Sequence, residues 1–435
     1  MCITTSFPPY AGSGGQRVLK FIKNFNHFNW QSVVLTRQAT SFETQDGSLV
    51  DEIPGDCEVH WTKSWDPAFL ADRLRAKEKG EFESKERLTE GHRKGRAKSL
   101  WDVLKNWILT PHPFLLWIPF ACGEAARVIR KRKIDIIFAD SRIASIAACL
   151  ISSKHGIPYV IDYRNSWVGD PHLHMPTSLH RSFNKWLESK VLRSASGAVF
   201  LADVSREDTL SNYPFYDPNH TFLIPNGYDK SDFQSDPCSD SDADQTFTIG
   251  YIGSIYTHYM SPFKIFCQAL NRLLRECHRR DVRFRVVGRA SKEVTELVDT
   301  YGLSHITSVE GYMRHSDATR ALLKSDVLLL LLDQPEDNRK PSVPGKIYEY
   351  MASQKKILYI GPDCETSKLM EKYKLGVCVF VDVDVACAAL RNWKQAHDQG
   401  RLPGNPQSVA VRFERRVLTE CLVGAFDMVL KETKE

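Results

Sequence analysis

Lys346 and Glu349 stand three residues apart in Pro344-Gly345-Lys346-Ile347-Tyr348-Glu349-Tyr350-Met351. One helical turn would bring this ammonium and carboxylate to the same edge. An ammonium in a first helical turn, beside N–H groups that no intrahelical partner takes, suits an anion, and a diphosphate is a good candidate. A carboxylate one turn deeper suits a pair of hydroxyls such as those of a ribose. The same spacing also fits an exposed Lys–Glu pair that adds only about 0.2–0.5 kcal/mol to the helix. Elsewhere, Gly14 and Gly15 follow the opening apolar stretch, Arg164 and Asn165 follow Pro158–Asp162, and Gly253, Gly288 and Gly311 each follow an apolar run. Glycines there let backbone approach a ligand, although an ordinary turn uses them as readily. Arg164 could hold an acceptor or a phosphate, or simply pair with Asp162; Asn165 cannot ionise and so is no base.

The elements that must position these residues alternate. Apolar runs at 2–7, 31–36, 134–139, 158–162 and 197–202 read as strands, with helical patterns at 18–25, 121–133, 144–153 and 183–192 between them. A second series follows, with strands at 247–252, 284–287, 306–309, 327–332 and 357–360 and helices at 262–274 and 315–325. Strand–helix alternation implies parallel sheets, whose strand carboxyl ends line the ligand crevice. In the helix carrying Lys346, Ile347, Tyr350 and Met351 make the apolar face, Ser342 is placed to cap it and Pro344 to occupy its first turn.

Composition excludes little: 42% hydrophobic, 26% charged and a net charge of +5 describe an ordinary globular chain of 435 residues, long enough for two or three domains. No basic helix or stacking-aromatic motif points to nucleic acid. Eleven scattered cysteines without a C-x-x-C pair read as reduced thiols of a cytosolic protein. Met1-Cys2-Ile3-Thr4 runs straight into the first strand, so no leader is expected. No apolar run reaches the roughly 20 residues that span a bilayer. The histidines show no metal-ligand spacing, and Asp382-Val383-Asp384 lies far along the second half, where a surface position is expected. Residues 71–99 hold ten Lys or Arg against six Asp or Glu and read as a basic insertion. With the aromatic stretch that follows, 71–115 is a candidate for peripheral contact with an anionic membrane face, on its inner side, or for packing into the first domain.

Pro344 to Ser353, followed by Lys356-Ile357-Leu358, resembles the donor-binding helix of the retaining glycosyltransferases of family 4, two-domain GT-B enzymes that use nucleotide sugars. Phe7-Pro8-Pro9 with Gly14-Gly15 is similar to that family's opening, Asp162-Tyr163-Arg164-Asn165-Ser166-Trp167 to its Asp-x-Arg-Asp-x-Trp, and Asn226-Gly227-Tyr228-Asp229 to its Asn-Gly-x-Asp turn. The resemblance implies two Rossmann-like, doubly wound parallel-sheet domains facing across a cleft. Residues 1–229 would form the acceptor side, 230–245 a linker, 246–408 the nucleotide-sugar domain, and 409–435 a helix returning to the first domain. It implies Lys346 at the diphosphate and Glu349 at the ribose. Arg289 would add a second positive charge and Tyr312 would flank the base. Gly14, Gly15, Gly253, Ser254, Pro344 and Gly345 would contact the donor, and Arg17, Arg164 and Asn165 would stand on the acceptor side.

The chain departs from the family in three places, the first being Asn165, where the second aspartate of Asp-x-Arg-Asp-x-Trp would stand. The first glutamate of its E-x7-E pair is Pro341 here, and Ser254 stands near the place of its usual arginine. The expected activity is metal-independent transfer of a hexosyl or N-acetylhexosaminyl group, with retention, from a UDP- or GDP-linked sugar to a hydroxyl of a glycan or lipid-linked acceptor in surface-polysaccharide synthesis. No cofactor is expected. The alternatives are a sugar-nucleotide epimerase or hydrolase of the same fold, and a silent nucleotide-sugar-binding protein.

Overall fold

The computed structural model describes residues 1–10, 13–38, 46–64, 113–164, 167, 177–233, 246–276, 281–333 and 343–433. The expected insertion at 71–99, most of the 71–115 stretch, most of the 230–245 linker, Asn165, Pro341 and Ser342 lie outside them. The chain forms two units, Met1–Ile224 together with Thr419–Glu435, and Pro225–Leu418. Each contains one parallel sheet.

The first sheet has seven strands: β1 Cys2–Thr4, β2 Val33–Arg37, β3 Glu58–Thr62, β4 Ile137–Asp140, β5 Tyr159–Tyr163, β6 Gly197–Phe200 and β7 Thr221–Leu223, in the order β3-β2-β1-β4-β5-β6-β7. Every residue of β1, β4, β5 and β6 is buried, which is why these segments are near-continuous apolar runs. The chain winds outward from β1 to β3, then restarts beside β1 with β4. Strand order therefore reverses between β1 and β4, where such sheets hold their ligands. Ser141, directly after β4, has φ of 99°, a costly conformation for a side chain other than glycine. Its hydroxyl accepts from Ala144 N–H to cap the helix Arg142–His155. The last stretch of chain completes this unit: Phe426 lies 6.1, 5.3 and 5.6 Å, between ring centroids, from Phe25, Trp30 and Phe138.

The second sheet has six strands: β8 Phe247–Ile252, β9 Val282–Val287, β10 Thr307–Val309, β11 Val327–Leu331, β12 Lys356–Ile360 and β13 Gly376–Val379, in the order β10-β9-β8-β11-β12-β13. Its order reverses between β8 and β11. Pro225–Asp229 belongs to this unit instead of closing the first. Tyr228 is buried, its N–H donates to the Phe413 carbonyl at 3.1 Å, and its own carbonyl accepts from Arg415 N–H at 2.9 Å. A Cβ at Gly227 would come within 2.1 Å of the Phe413 carbonyl oxygen, so only glycine passes there. Asp382 caps the helix Val383–Asp398 by accepting from Asp384 N–H (2.7 Å) and Val385 N–H (3.3 Å), and Asp384 pairs with Arg272. These two carboxylates thus have structural partners. Among the described residues no helix is long and apolar enough to cross a membrane.

Candidate functional site

The short helix Lys346–Ala352 is pinned by its apolar residues. Ile347, Tyr348, Tyr350 and Met351 are all buried, so the pattern at 347, 350 and 351 holds and Tyr348 joins it. The Tyr350 hydroxyl accepts from Ile252 N–H at 2.9 Å and donates to the Leu329 carbonyl at 3.3 Å. That one phenol ties the helix to β8 and β11, the two strands flanking the reversal. The helix starts later than its sequence indicates. Gly345 is the N-cap, and the Pro344 and Gly345 carbonyls accept from Ile347 and Tyr348 N–H at 3.2 and 3.3 Å. Pro344 therefore sits just before the helix, in a tight turn that feeds it. A helix this short carries little macrodipole, so the ammonium of Lys346 supplies most of the site's positive charge.

Lys346 Nζ lies 3.0 Å from the Tyr251 hydroxyl, to which it donates, and 4.2 Å from the centre of the Tyr251 ring. It hangs over the backbone at the end of β8, where a Cβ on Gly253 would fall 2.8 Å from Nζ. Desolvation lowers its pKa from the ordinary lysine value to about 8, with Glu349 pulling the other way. Burial raises the carboxyl pKa of Glu349, and Asp232 adds to that rise, while His315, Arg415 and Lys346 oppose it. His315 Nε2 and Asp232 Oδ2 are 2.9 Å apart.

The loops after β8 and β9 are zipped to each other. Gly253 N–H donates to the Val287 carbonyl, Ile255 N–H to the Arg289 carbonyl (both 2.8 Å), and Arg289 N–H to Ser254 Oγ at 3.1 Å. The approach is close enough that a Cβ on Gly288 would lie 2.1 Å from the Gly253 carbonyl oxygen, and Gly288 has φ of 149°. Gly288→Ala therefore combines backbone strain with overpacking against backbone that cannot yield. We expect a loss of about 2–4 kcal/mol of stability, checked by the denaturant midpoint of the variant. A midpoint within error of the parent would mean that the loops are not locked together.

The first unit places four charged groups in alternation at the carboxyl ends of its strands. Arg17 is buried, donating through Nε to Asp162 Oδ2 at 2.8 Å and through Nη2 to Asp162 Oδ1 (3.2 Å) and the Ile224 carbonyl (2.8 Å). Arg164 Nη2 lies 2.5 Å from Asp140 Oδ1, and Asp140 Oδ2 accepts from Thr4 Oγ1 at 3.0 Å. Burial lifts the Asp140 pKa to about 6 against the opposing pull of Arg164. Arg164 is lowered by burial but raised on balance by Asp140 and Asp162. The Asp162 partner is thus Arg17, and Arg164 pairs with Asp140. Arg17 is 1% exposed, so it cannot meet an acceptor as the sequence leads one to expect; it is a structural tie. Arg164 retains a quarter of its side-chain surface and lies under the glycine turn, where a Cβ on Gly14 would come 2.9 Å from its Nη1. Gly15 packs against the Ser6 carbonyl.

Of the expected donor-site residues, the second unit brings together Lys346, Glu349, Gly253, Ser254, Gly345 and Pro344, with the Arg289 backbone beside Ser254. Arg289 and Tyr312 are exposed, Tyr312 at 63%. Sequence reasoning missed Tyr251, which seats Lys346, and Asp140, which seats Arg164. The one available signal for Asp140 was its place as the first acid after an apolar run.

Residues 84–232 match the family model for Glycosyltransferase Family 4. That stretch lies almost wholly in the first unit, so Lys346 and the residues around it in the second unit are outside it. No curated protein matches the chain in sequence. Among solved structures, the chain is similar to HepE of Anabaena in complex with UDP-glucose (14% identity, covering 98% of this chain and 99% of that one, TM-score 0.61). It is also similar to a glycosyltransferase of Rickettsia africae (14%, 99% and 98%, TM-score 0.60). A third likeness is to a UDP-forming α,α-trehalose-phosphate synthase of Burkholderia xenovorans in complex with glucose-6-phosphate (11%, 98% and 99%, TM-score 0.58). These likenesses establish the fold: two Rossmann-like parallel-sheet domains of the GT-B class.

Proposed function

We propose that the chain is a retaining, family-4-type glycosyltransferase that takes a hexosyl or N-acetylhexosaminyl group from a UDP-linked sugar and moves it to a hydroxyl of a glycan or lipid-linked acceptor. The observation that carries this reading is the Lys346 ammonium, held by Tyr251 over Gly253 where the second sheet reverses its strand order. HepE, similar in fold over nearly its whole length, was solved with UDP-glucose. UDP is therefore the nucleotide to test before GDP.

In this reading Lys346 and the N–H groups of the Gly345 turn hold the diphosphate over Gly253, and Glu349 accepts hydrogen bonds from the ribose hydroxyls. The C1–O bond to the diphosphate breaks as C1 bonds to the acceptor oxygen on the same face. The acceptor proton passes to the departing phosphate oxygen. Negative charge grows on the diphosphate, and a fixed ammonium stabilises it more in the transition state than in the ground state. Lys346 thereby fills the role that a divalent cation plays in metal-dependent transferases, and turnover is expected to survive chelators. On the first unit, Arg164, held by Asp140, is the acceptor-side contact. A part in surface-polysaccharide or glycoconjugate synthesis fits such an acceptor.

The test is incubation of the full chain with UDP-sugars and a panel of glycan and lipid-linked acceptors. UDP release and the glycosylated product are followed together, with and without EDTA. A product bearing the donor sugar supports the proposal. Free sugar or an isomerised nucleotide sugar would make the chain a hydrolase or epimerase. Binding of UDP-sugars without turnover of any acceptor would make it a binding protein.

A further inference from the structure

The helix Ser178–Ser194 turns Asn184, Glu188, Val191 and Leu192 into its own unit. On the opposite face Leu179, Phe183 and Trp186, spaced i, i+4, i+7, are 73%, 47% and 56% exposed. These three project as one stripe. The Phe183 and Trp186 rings stack at 5.7 Å, and Lys190, continuing the stripe, sets its ammonium 5.6 Å from the Trp186 ring centre. Large side chains held together in water along a convex face need a reason.

The charges around the stripe have one sign. Arg181, Lys185, Lys190 and Arg193 are all exposed. The helix has one acid, Glu188, which is fully buried and accepts from Trp167 N–H (3.0 Å) and the Tyr213 hydroxyl (2.7 Å). Among the described residues, the helix itself therefore shows solvent four positive groups and no negative one. Arg193 also lies 3.6 Å over the half-exposed ring of Phe215, which extends the aromatic and basic face past the helix end.

We propose that this face docks on an anionic lipid bilayer. Leu179, Phe183 and Trp186 enter the boundary between headgroups and acyl chains, and Lys185, Lys190 and Arg193 reach the phosphates. Charge complementarity selects this occupant. A second copy of the chain seated about a two-fold axis would set the basic groups against themselves. A bilayer also needs no groove, and the stripe offers a ridge. The proposal is independent of the transferase reading, since it uses no residue of the nucleotide or acceptor sites.

The test is co-sedimentation of the full chain with vesicles of phosphatidylcholine alone or with added phosphatidylglycerol. The parent is expected to pellet with the anionic vesicles and to be released by salt. The pair Phe183→Ser with Trp186→Ser, and the pair Lys190→Glu with Arg193→Glu, should each weaken partitioning about tenfold or more, with melting temperatures unchanged because these side chains are exposed. The proposal is overturned if the parent stays in the supernatant with anionic vesicles, or if both double variants pellet as the parent does. It is equally overturned if sedimentation velocity without lipid shows a dimer that the Phe183→Ser, Trp186→Ser pair dissolves. Loss of transferase activity with vesicle binding retained would count against the proposed function alone.

Discussion

Lys346→Ala is expected to erase the thermal shift that UDP-glucose gives the parent chain. An ammonium on a diphosphate is a hydrogen bond to a charged group, worth roughly 1.5–3 kcal/mol, or about 10- to 100-fold in affinity. Turnover should fall further, by about 10²–10³, because charge on the leaving diphosphate grows toward the transition state. The pKa near 8 adds a pH signature. UDP-glucose has no phosphate titrating near neutrality. Its affinity should be flat below pH 8 and fall above it in the parent, and be weak and flat in the variant.

The same pKa shows that lost binding need not be misfolding. In the native state the charged form is disfavoured relative to the unfolded chain, so the ligand-free protein carries a penalty below about pH 8 that vanishes above the unfolded lysine value near 10.4. Lys346→Met relieves that penalty. Its ligand-free melting temperature should match or exceed the parent's at pH 7, with the difference closing at high pH. An unchanged UDP-glucose shift in Lys346→Ala would remove this lysine from the site.

Arg17→Met should cost about 3–5 kcal/mol in chemical denaturation, because it leaves the Asp162 carboxylate buried without its cation. The Ile224 carbonyl also loses a donor. A cost below about 1 kcal/mol at pH 7 would mean that the pair is solvated and that Arg17 could turn toward a ligand.

Most of the strands that the sequence showed are buried on both faces; the edge strand β10, expected at 306–309, is the exception. Val327–Leu331 and Tyr159–Tyr163 are unbroken apolar runs because helices cover both sides of them. The strands it hid are β3, β7 and β13, all at sheet edges and mostly half-buried. Glu58-Val59-His60-Trp61 has no reason to look like a core strand when one side meets solvent. The site divides in the same way. Lys346 and Glu349 were legible because three residues on one helix fix their own relation. The Arg17–Asp162 and Arg164–Asp140 pairs were not, because only the order β1-β4-β5 brings residues so distant in sequence together. Arg17 followed a glycine turn as a ligand-binding arginine would, and nothing local distinguishes that from a tie between a helix and a strand end.

Residues 419–433 complete the first unit, with Phe426 wedged among Phe25, Trp30 and Phe138. That unit is therefore assembled from two stretches far apart in sequence, Met1–Ile224 and Thr419–Glu435. During translation its sheet emerges early but waits, with an open apolar face, until all of Pro225–Leu418 has been made. A nascent chain at that stage is a substrate for chaperones and proteases. A fragment ending at Ile224 should share that fate, and a premature stop within Pro225–Leu418 should lose both units at once.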